Sequence, residues 1–110
     1  CPQSPNCVSS FAADDVHAID PLPLVASAEE LVAVIESFPR TQIVEVDDDY
    51  VHATFTSRIF RFVDDVELKI DRESGVVQVR SASRVGYGDM GANRARVEEI
   101  RAAIEARGSR

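Results

Sequence analysis

Four short segments between residues 41 and 84 alternate apolar and polar side chains, and this alternation constrains the fold more than any other feature. In the segment 50–57, Val51, Ala53 and Phe55 alternate with polar residues, so the apolar side chains share one face of a strand. Short links join the segments, one of them the aromatic link 59–62, and short links favour an antiparallel meander. The predicted strands are 41–46, 50–57, 63–70 and 76–84.

Two helices are predicted, one on each side of this strand region. Ser27 and Glu30 form a capping box, an apolar stripe follows at helical spacing, and Pro39 ends the helix. The second helix spans about residues 92–106, with Val97 and Ile100 on its apolar stripe. The sheet has one apolar face and each helix has one apolar stripe, so packing both helices on that face buries all three.

The predicted fold is therefore α+β: a four-stranded antiparallel meander sheet with two helices on one face. Residues 1–26, rich in proline, are predicted to be an irregular arm packed on the domain. Residues 27–110 form the α-β-β-β-β-α unit, and a chain of 110 residues has room for one domain in all.

The charge distribution argues against several classes of function. The net charge is −7; residues 1–79 hold 5 basic against 15 acidic side chains, and residues 80–110 hold 7 against 4. An acidic chain without an aromatic stacking platform is not typical of a nucleic-acid binder. The longest clean apolar run, 31–35, is far shorter than the roughly 20 residues that span a bilayer. We expect no cofactor and no bound metal.

The polar face of the sheet is the first candidate site. Arg58, Arg80 and Arg84 could meet there on an anionic ligand. Ordinary cross-strand ion pairs are the alternative. If Ile70 pairs with Val77, Glu67 lies opposite Arg80.

The second candidate is the glycine-containing segment 80–89, which leads into Asn93 and Arg94 at the start of the last helix. Backbone amides at a helix N-terminus favour an anion. The segment lacks the spacing and the lysine of a phosphate-binding loop. The alternative is a helix cap, provided by Asp89 or Asn93, beside a flexible loop.

The two cysteines and the acidic residues allow several interpretations. Cys1 and Cys7 could form a disulfide, could bind a metal with His17 and His52, or Cys7 could act as a nucleophile with His17. The acidic run 47–49 is predicted to be a solvated turn. Asp64 is predicted to face the core, where it needs a partner such as an arginine, and Asp65 to face the other way.

Motifs along nearly the whole chain resemble one family. They include Ser4-Pro5-Asn6-Cys7-Val8-Ser9-Ser10, Phe62-Val63-Asp64-Asp65-Val66-Glu67 and Gln78-Val79-Arg80-Ser81-Ala82-Ser83-Arg84-Val85-Gly86. They resemble the domain-of-unknown-function family 1499. The resemblance implies envelope-associated bacterial proteins, some with an N-terminal membrane or lipid anchor, with relatives in photosynthetic organisms. It also implies that many polar residues belong to the family pattern: Cys1, Cys7, His17, Arg58, Asp64, Asp65, Arg80, Ser83, Arg84, Asp89, Asn93 and Arg94.

The leading hypothesis is a non-catalytic binding domain of the cell envelope, exported, periplasmic or membrane-anchored, that recognises a small anionic or polar ligand or a partner protein. The start at Cys1 predicts that an upstream segment has been removed, and membrane contact is expected only through that segment. An enclosed pocket is expected where the site residues converge.

The alternatives are an enzyme of hydrolase or isomerase type that uses His17 or Cys7 with an Asp, and a structural assembly module. The predicted ligand-binding residues are Arg58, Arg80, Arg84, Asp89, Asn93 and Arg94, supported by His17, Asp64, Asp65 and Ser83.

Overall fold

The computed structural model describes residues 1–2, 4–86 and 88–108. The elements in chain order are β1 (Cys7–Ser9), β2 (Leu22–Pro23), α1 (Ala28–Glu36), β3 (Thr41–Val46), β4 (Tyr50–Thr56), β5 (Val63–Asp71), β6 (Val76–Ser83) and α2 (Ala92–Gly108).

The sheet is antiparallel and its strand order is β1-β6-β5-β4-β3, with β2 also paired to β6. The α+β class and the meander of β3 to β6 are confirmed, including the predicted pairing of Ile70 with Val77 and of Glu67 with Arg80. Within β3 the register shifts between Ile43 and Glu45, so this edge strand carries a bulge.

The prediction of a four-stranded sheet is wrong, because the N-terminal arm adds two short strands to it. β1 has 3 residues and β2 has 2, which is too short for an alternation to be visible in the sequence. The free edge of β6 supplies their partners, Val8 opposite Ser81 and Leu22 opposite Val77. Backbone groups of the arm are thereby paired despite its prolines.

Both helices pack on the apolar face of the sheet and contact each other. Ser27 caps α1 as predicted, because its hydroxyl accepts a hydrogen bond from the Glu30 amide. Val97, Ile100 and Ile104 of α2 join the core. Within the described parts of the chain, no helix combines the length and the apolarity needed to cross a membrane. The sheet residues of the same core are Val8, Leu22, Val51, Ala53, Phe55, Val66, Leu68, Ile70, Val77 and Val79.

Candidate functional site

A groove lies at the end of the sheet where β4 passes to β5 and where β6 passes to α2. We call this region, residues 57–62, 84–86 and 88–91, the link end. The groove has a volume of about 290 Å³. Its polar floor includes Asp64, Ser83 and Arg96, and its rim carries apolar side chains that are largely exposed: Phe60, Phe62, Val85 and Met90.

An ion pair between Asp64 and Arg96 forms part of the groove floor. The Arg96 Nη1 atom donates to Asp64 Oδ2 at 2.6 Å, and both side chains are largely buried. The guanidinium carbon of Arg96 also lies 5.0 Å from the centre of the Phe55 ring, within the range of a cation–π contact. The prediction that Asp64 faces the core and takes an arginine partner is therefore confirmed.

Arg96 itself was not among the predicted site residues, although the sequence contains a signal for it. Arg96 follows Asn93 by three positions and precedes Ile100 by four. Residues at these spacings share one face of a helix, so Arg96 belongs to the buried face of α2 rather than to its solvent-exposed side. The apolar rim was missed because Phe60 and Phe62 lie between the predicted strands 50–57 and 63–70, outside the alternation that indicates them.

Asn93 is fully buried beside this ion pair and connects three parts of the chain. Its Oδ1 atom accepts from the Ser81 hydroxyl at 2.6 Å, and its Nδ2 atom donates to the Ser83 hydroxyl at 2.9 Å and to the Asn6 carbonyl at 3.1 Å. Asn6 in turn donates from its side chain to the Gly86 carbonyl at 2.8 Å. The arm, β6 and α2 thus meet behind the groove through one network.

Asp89 occupies the start of α2, the position at which the sequence suggests a binding site for an anion. Its carboxylate accepts from the Asn93 amide at 3.1 Å, from the Asn93 side chain at 2.7 Å and from the Gly91 amide at 2.9 Å. Burial alone would raise the pKa of Asp89, but these hydrogen bonds outweigh it and hold the pKa below its usual value. The alternative interpretation, a cap provided by Asp89, is confirmed.

The four predicted arginines have separate surroundings. Arg80 pairs with Glu67 at 3.4 Å on the polar face of the sheet. Arg94 donates to two backbone carbonyls of the arm, at 2.8 and 3.1 Å. Arg58 is exposed in the link 57–62. The groove lining contains Asp64, Ser83 and Asp89 from the predicted set, but the arginines do not converge there.

Arg84 and Asp65 form a two-point ion pair on the polar face, with hydrogen bonds of 2.8 and 2.9 Å. The Asp65 carboxylate also contacts His52 Nε2 at 2.8 Å. The bond from Arg84, followed by that from His52, outweighs burial and lowers the pKa of Asp65 to about 2. Together with Glu67–Arg80, this pairing confirms the alternative of ordinary cross-strand ion pairs for these arginines.

His17 and the cysteines form the other predicted cluster. Cys1 and Cys7 are joined by a disulfide, so the thiol nucleophile and the cysteine metal ligands are both lost. His17 Nδ1 lies 2.6 Å from Asp14 Oδ2, and Nε2 lies 2.9 Å from the Ser4 carbonyl. The bond to the Ser4 carbonyl and the contact with Asp14 raise the pKa of His17 despite its burial. Both ring nitrogens are occupied, so neither is available as a general base.

The described residues contain no group of three or more His, Cys, Asp and Glu side chains that could hold a metal ion.

A family model described as a protein of unknown function, DUF1499, matches residues 1–104. The chain belongs to the DUF1499 family. No curated protein and no solved structure matches the chain. The DUF1499 match includes the arm, both cysteines and the groove residues, but it assigns a role to none of them.

Proposed function

We propose that this DUF1499 domain is a non-catalytic binding module whose groove holds a small ligand with an apolar body and a neutral polar group. The observation that carries the proposal is the Asp64–Arg96 ion pair beneath a largely apolar rim. Small-molecule sites in proteins typically combine an apolar lining with a few placed polar groups. The groove volume of about 290 Å³ suits a ligand with a single ring or a short chain.

The buried ion pair supports a binding role more than a role in stability. Taking two charges out of water is costly, and well-packed apolar residues often replace a buried pair with no loss of stability. Asp64, whose carboxylate accepts hydrogen bonds, and Arg96, whose guanidinium donates them, both line the groove. An amide group, which has one of each, matches both partners.

The charges around the groove floor favour a neutral polar ligand over an anionic one; the sequence allowed both. Arg96 is the cation of the floor, and its charge is balanced by Asp64. Asp89 also lines the groove, and its lowered pKa keeps it ionised. An anion inside the groove would therefore meet an excess of negative charge, because Arg58 and Arg61 are not part of the lining.

Location in an oxidising compartment of the cell envelope is part of the proposal. The Cys1–Cys7 disulfide supports it, because disulfides persist mainly outside the reducing cytosol. The envelope association that the family resemblance implies supports it as well. The enzyme alternative has weaker support, because His17 has no free ring nitrogen and Cys7 has no free thiol.

The test uses benzamide as the probe and amide NMR shifts as the measurement. We expect saturable shifts at Ser83, Gly86 and Gly88, with an affinity on the order of millimolar for so small a ligand. Benzoate, which has the same ring and an anionic group, is expected to bind more weakly. Absent or scattered benzamide shifts would contradict the proposal.

A double variant separates binding from stability. Asp64→Leu with Arg96→Met replaces the buried pair by apolar side chains, so the fold should be retained while the benzamide shifts disappear. The matched control is Glu67→Leu with Arg80→Met, which removes an ion pair from the polar face and should leave benzamide binding unchanged. Equal benzamide binding by both double variants would count against the groove.

A further inference from the structure

The link 57–62 presents apolar side chains to solvent at its tip. Ile59 is 80% exposed and Phe60 is 72% exposed, and the Phe60 and Phe62 rings stack with centroids 5.6 Å apart. Met90 and Val85 project from the facing link and are also exposed. Large apolar side chains clustered at one end of a domain mark an interaction surface.

Basic side chains alternate with these apolar ones. Arg58 and Arg61 are both exposed, and the link 57–62 contains no acidic residue. Arg61 has a positive φ of 59°. For a residue with a side chain this conformation costs about 1 kcal/mol, and such strain concentrates at functional segments.

Few acidic side chains lie near the link. Asp64 and Asp65 are paired with Arg96 and Arg84, which leaves Asp89 against Arg58 and Arg61. The acidic run 47–49 begins at the opposite end of β4, a strand of 7 residues. At about 3.3 Å per residue the two ends are roughly 23 Å apart. This distance exceeds two Debye lengths of about 8 Å each at physiological salt, so the acidic run barely affects the field at the link.

We propose that the link end docks on the surface of an anionic lipid bilayer. Ile59 and Phe60 enter the boundary between headgroups and acyl chains, and Arg58 and Arg61 contact lipid phosphates. Apolar insertion combined with basic flanks is the physical basis of peripheral membrane binding. This surface belongs to the folded domain. The proposal does not depend on what the groove binds.

A lipid surface fits the link better than a partner protein does. A stable protein interface usually takes roughly 20–30 residues from each side. The link 57–62 and its neighbours offer a much smaller group of exposed side chains. Arg58 and Arg61 make no ion pair among the described residues, so both guanidinium groups remain available to phosphates.

The test is cosedimentation with vesicles of phosphatidylcholine alone and of phosphatidylcholine mixed with phosphatidylglycerol. We expect binding to the mixed vesicles only, weakened by salt. Phe60→Ser should weaken it about tenfold, and the double variant Arg58→Gln/Arg61→Gln should weaken it by roughly fivefold per arginine. The matched controls are Phe11→Ser, an aromatic residue 76% exposed on the arm, and Arg72→Gln at the opposite end of the sheet. Both controls should bind like the unaltered protein.

Three results would overturn the proposal. They are no binding to the mixed vesicles, equal binding by the Phe60→Ser variant and the unaltered protein, and equal binding to the vesicles with and without phosphatidylglycerol. If the protein binds no vesicles but self-associates, and Phe60→Ser abolishes the self-association, the surface is instead an interface between copies of the chain. Thermal melting of each variant checks that the fold is retained. The Asp64→Leu/Arg96→Met variant should still bind vesicles, so failure of the groove proposal and failure of the membrane proposal are distinguishable.

Discussion

The two ends of the sheet differ in how their chain segments are built. At the turn end, residues 47–49 and 72–75, every side chain is charged, small and polar, or absent, as in Gly75. Side-chain carboxylates accept from backbone amides in both turns, Asp47 from the Asp48 amide and Asp71 from the Ser74 amide. Gly75 takes the positive φ that its turn requires. Local sequence and local structure agree there.

The link end shows the opposite relation. Its links are longer, several of its apolar side chains are exposed, and Arg61 and Met90 adopt positive φ although neither is glycine. Natural sequences usually depart from local preference where function requires it. The comparison teaches that the turn end serves folding, whereas the link end combines a buried polar network with a surface that folding alone does not require.

The largest expected effect is on the buried network behind the link end. Asn93→Ala should lower the free energy of unfolding by about 3 kcal/mol, because it leaves the Ser81 hydroxyl and the Asn6 carbonyl without their partner. Ser74→Ala at the turn end should cost less than about 0.5 kcal/mol. Urea unfolding of the two variants measures both. Similar losses of unfolding free energy in the two variants would contradict the difference between the link end and the turn end.

The disulfide gives the next largest effect. Cys1→Ala with Cys7→Ala opens a loop with a sequence separation of 6, for which chain entropy alone predicts a loss of about 2 kcal/mol. Asn6 lies inside this loop and bonds to the Gly86 carbonyl, so amide NMR shifts should change at the link end and remain constant at residues 72–75. Adding a reductant to the double variant should change neither its stability nor its spectrum.

Much of the fold could be predicted because its signals are local and periodic. Alternation located β3 to β6, and Ser27 with the apolar stripe located α1. β1 and β2 could not be found, because strands of 3 and 2 residues have no measurable period and depend on the free edge of β6.

The site was predicted less completely, for a different reason. The core position of Asp64 follows from alternation, and so does its need for an arginine. Which arginine serves depends on how α2 is rotated against the sheet. The spacing of Arg96 from Asn93 and Ile100 indicates the buried face of α2, but the site prediction did not take that spacing into account. Arg80 and Arg84 looked like ligand residues because the sequence cannot show that Glu67 and Asp65 already neutralise them.

The Asp65–Arg84 pair allows a pH test near the link end. The pKa of Asp65 falls from 3.8 to about 2 on folding, so the pair stabilises the fold above about pH 4 and loses that effect as the pH falls toward 2. We expect a contribution of about 1 kcal/mol, because Arg84 is half exposed and water screens its charge.

Unfolding free energies at neutral and at acidic pH measure this contribution. Asp65→Asn should remove it. Arg84→Gln should remove most of it and His52→Gln a smaller part, because the Arg84 bond is the main cause of the lowered pKa. A larger effect of His52→Gln would reverse that order and contradict the assignment.

The smallest expected effect tests whether the link end holds strain. Arg61→Gly should raise the free energy of unfolding by about 0.5 kcal/mol, because glycine adopts positive φ without the steric cost while losing more backbone entropy. Gly75→Ala at the turn end should act in the opposite direction, since its φ of 73° is also positive. The same Arg61→Gly variant removes one basic side chain and should bind anionic vesicles more weakly. Gaining stability while losing vesicle binding would separate the two roles at a single residue, whereas a loss of both would mean that Arg61 serves the fold.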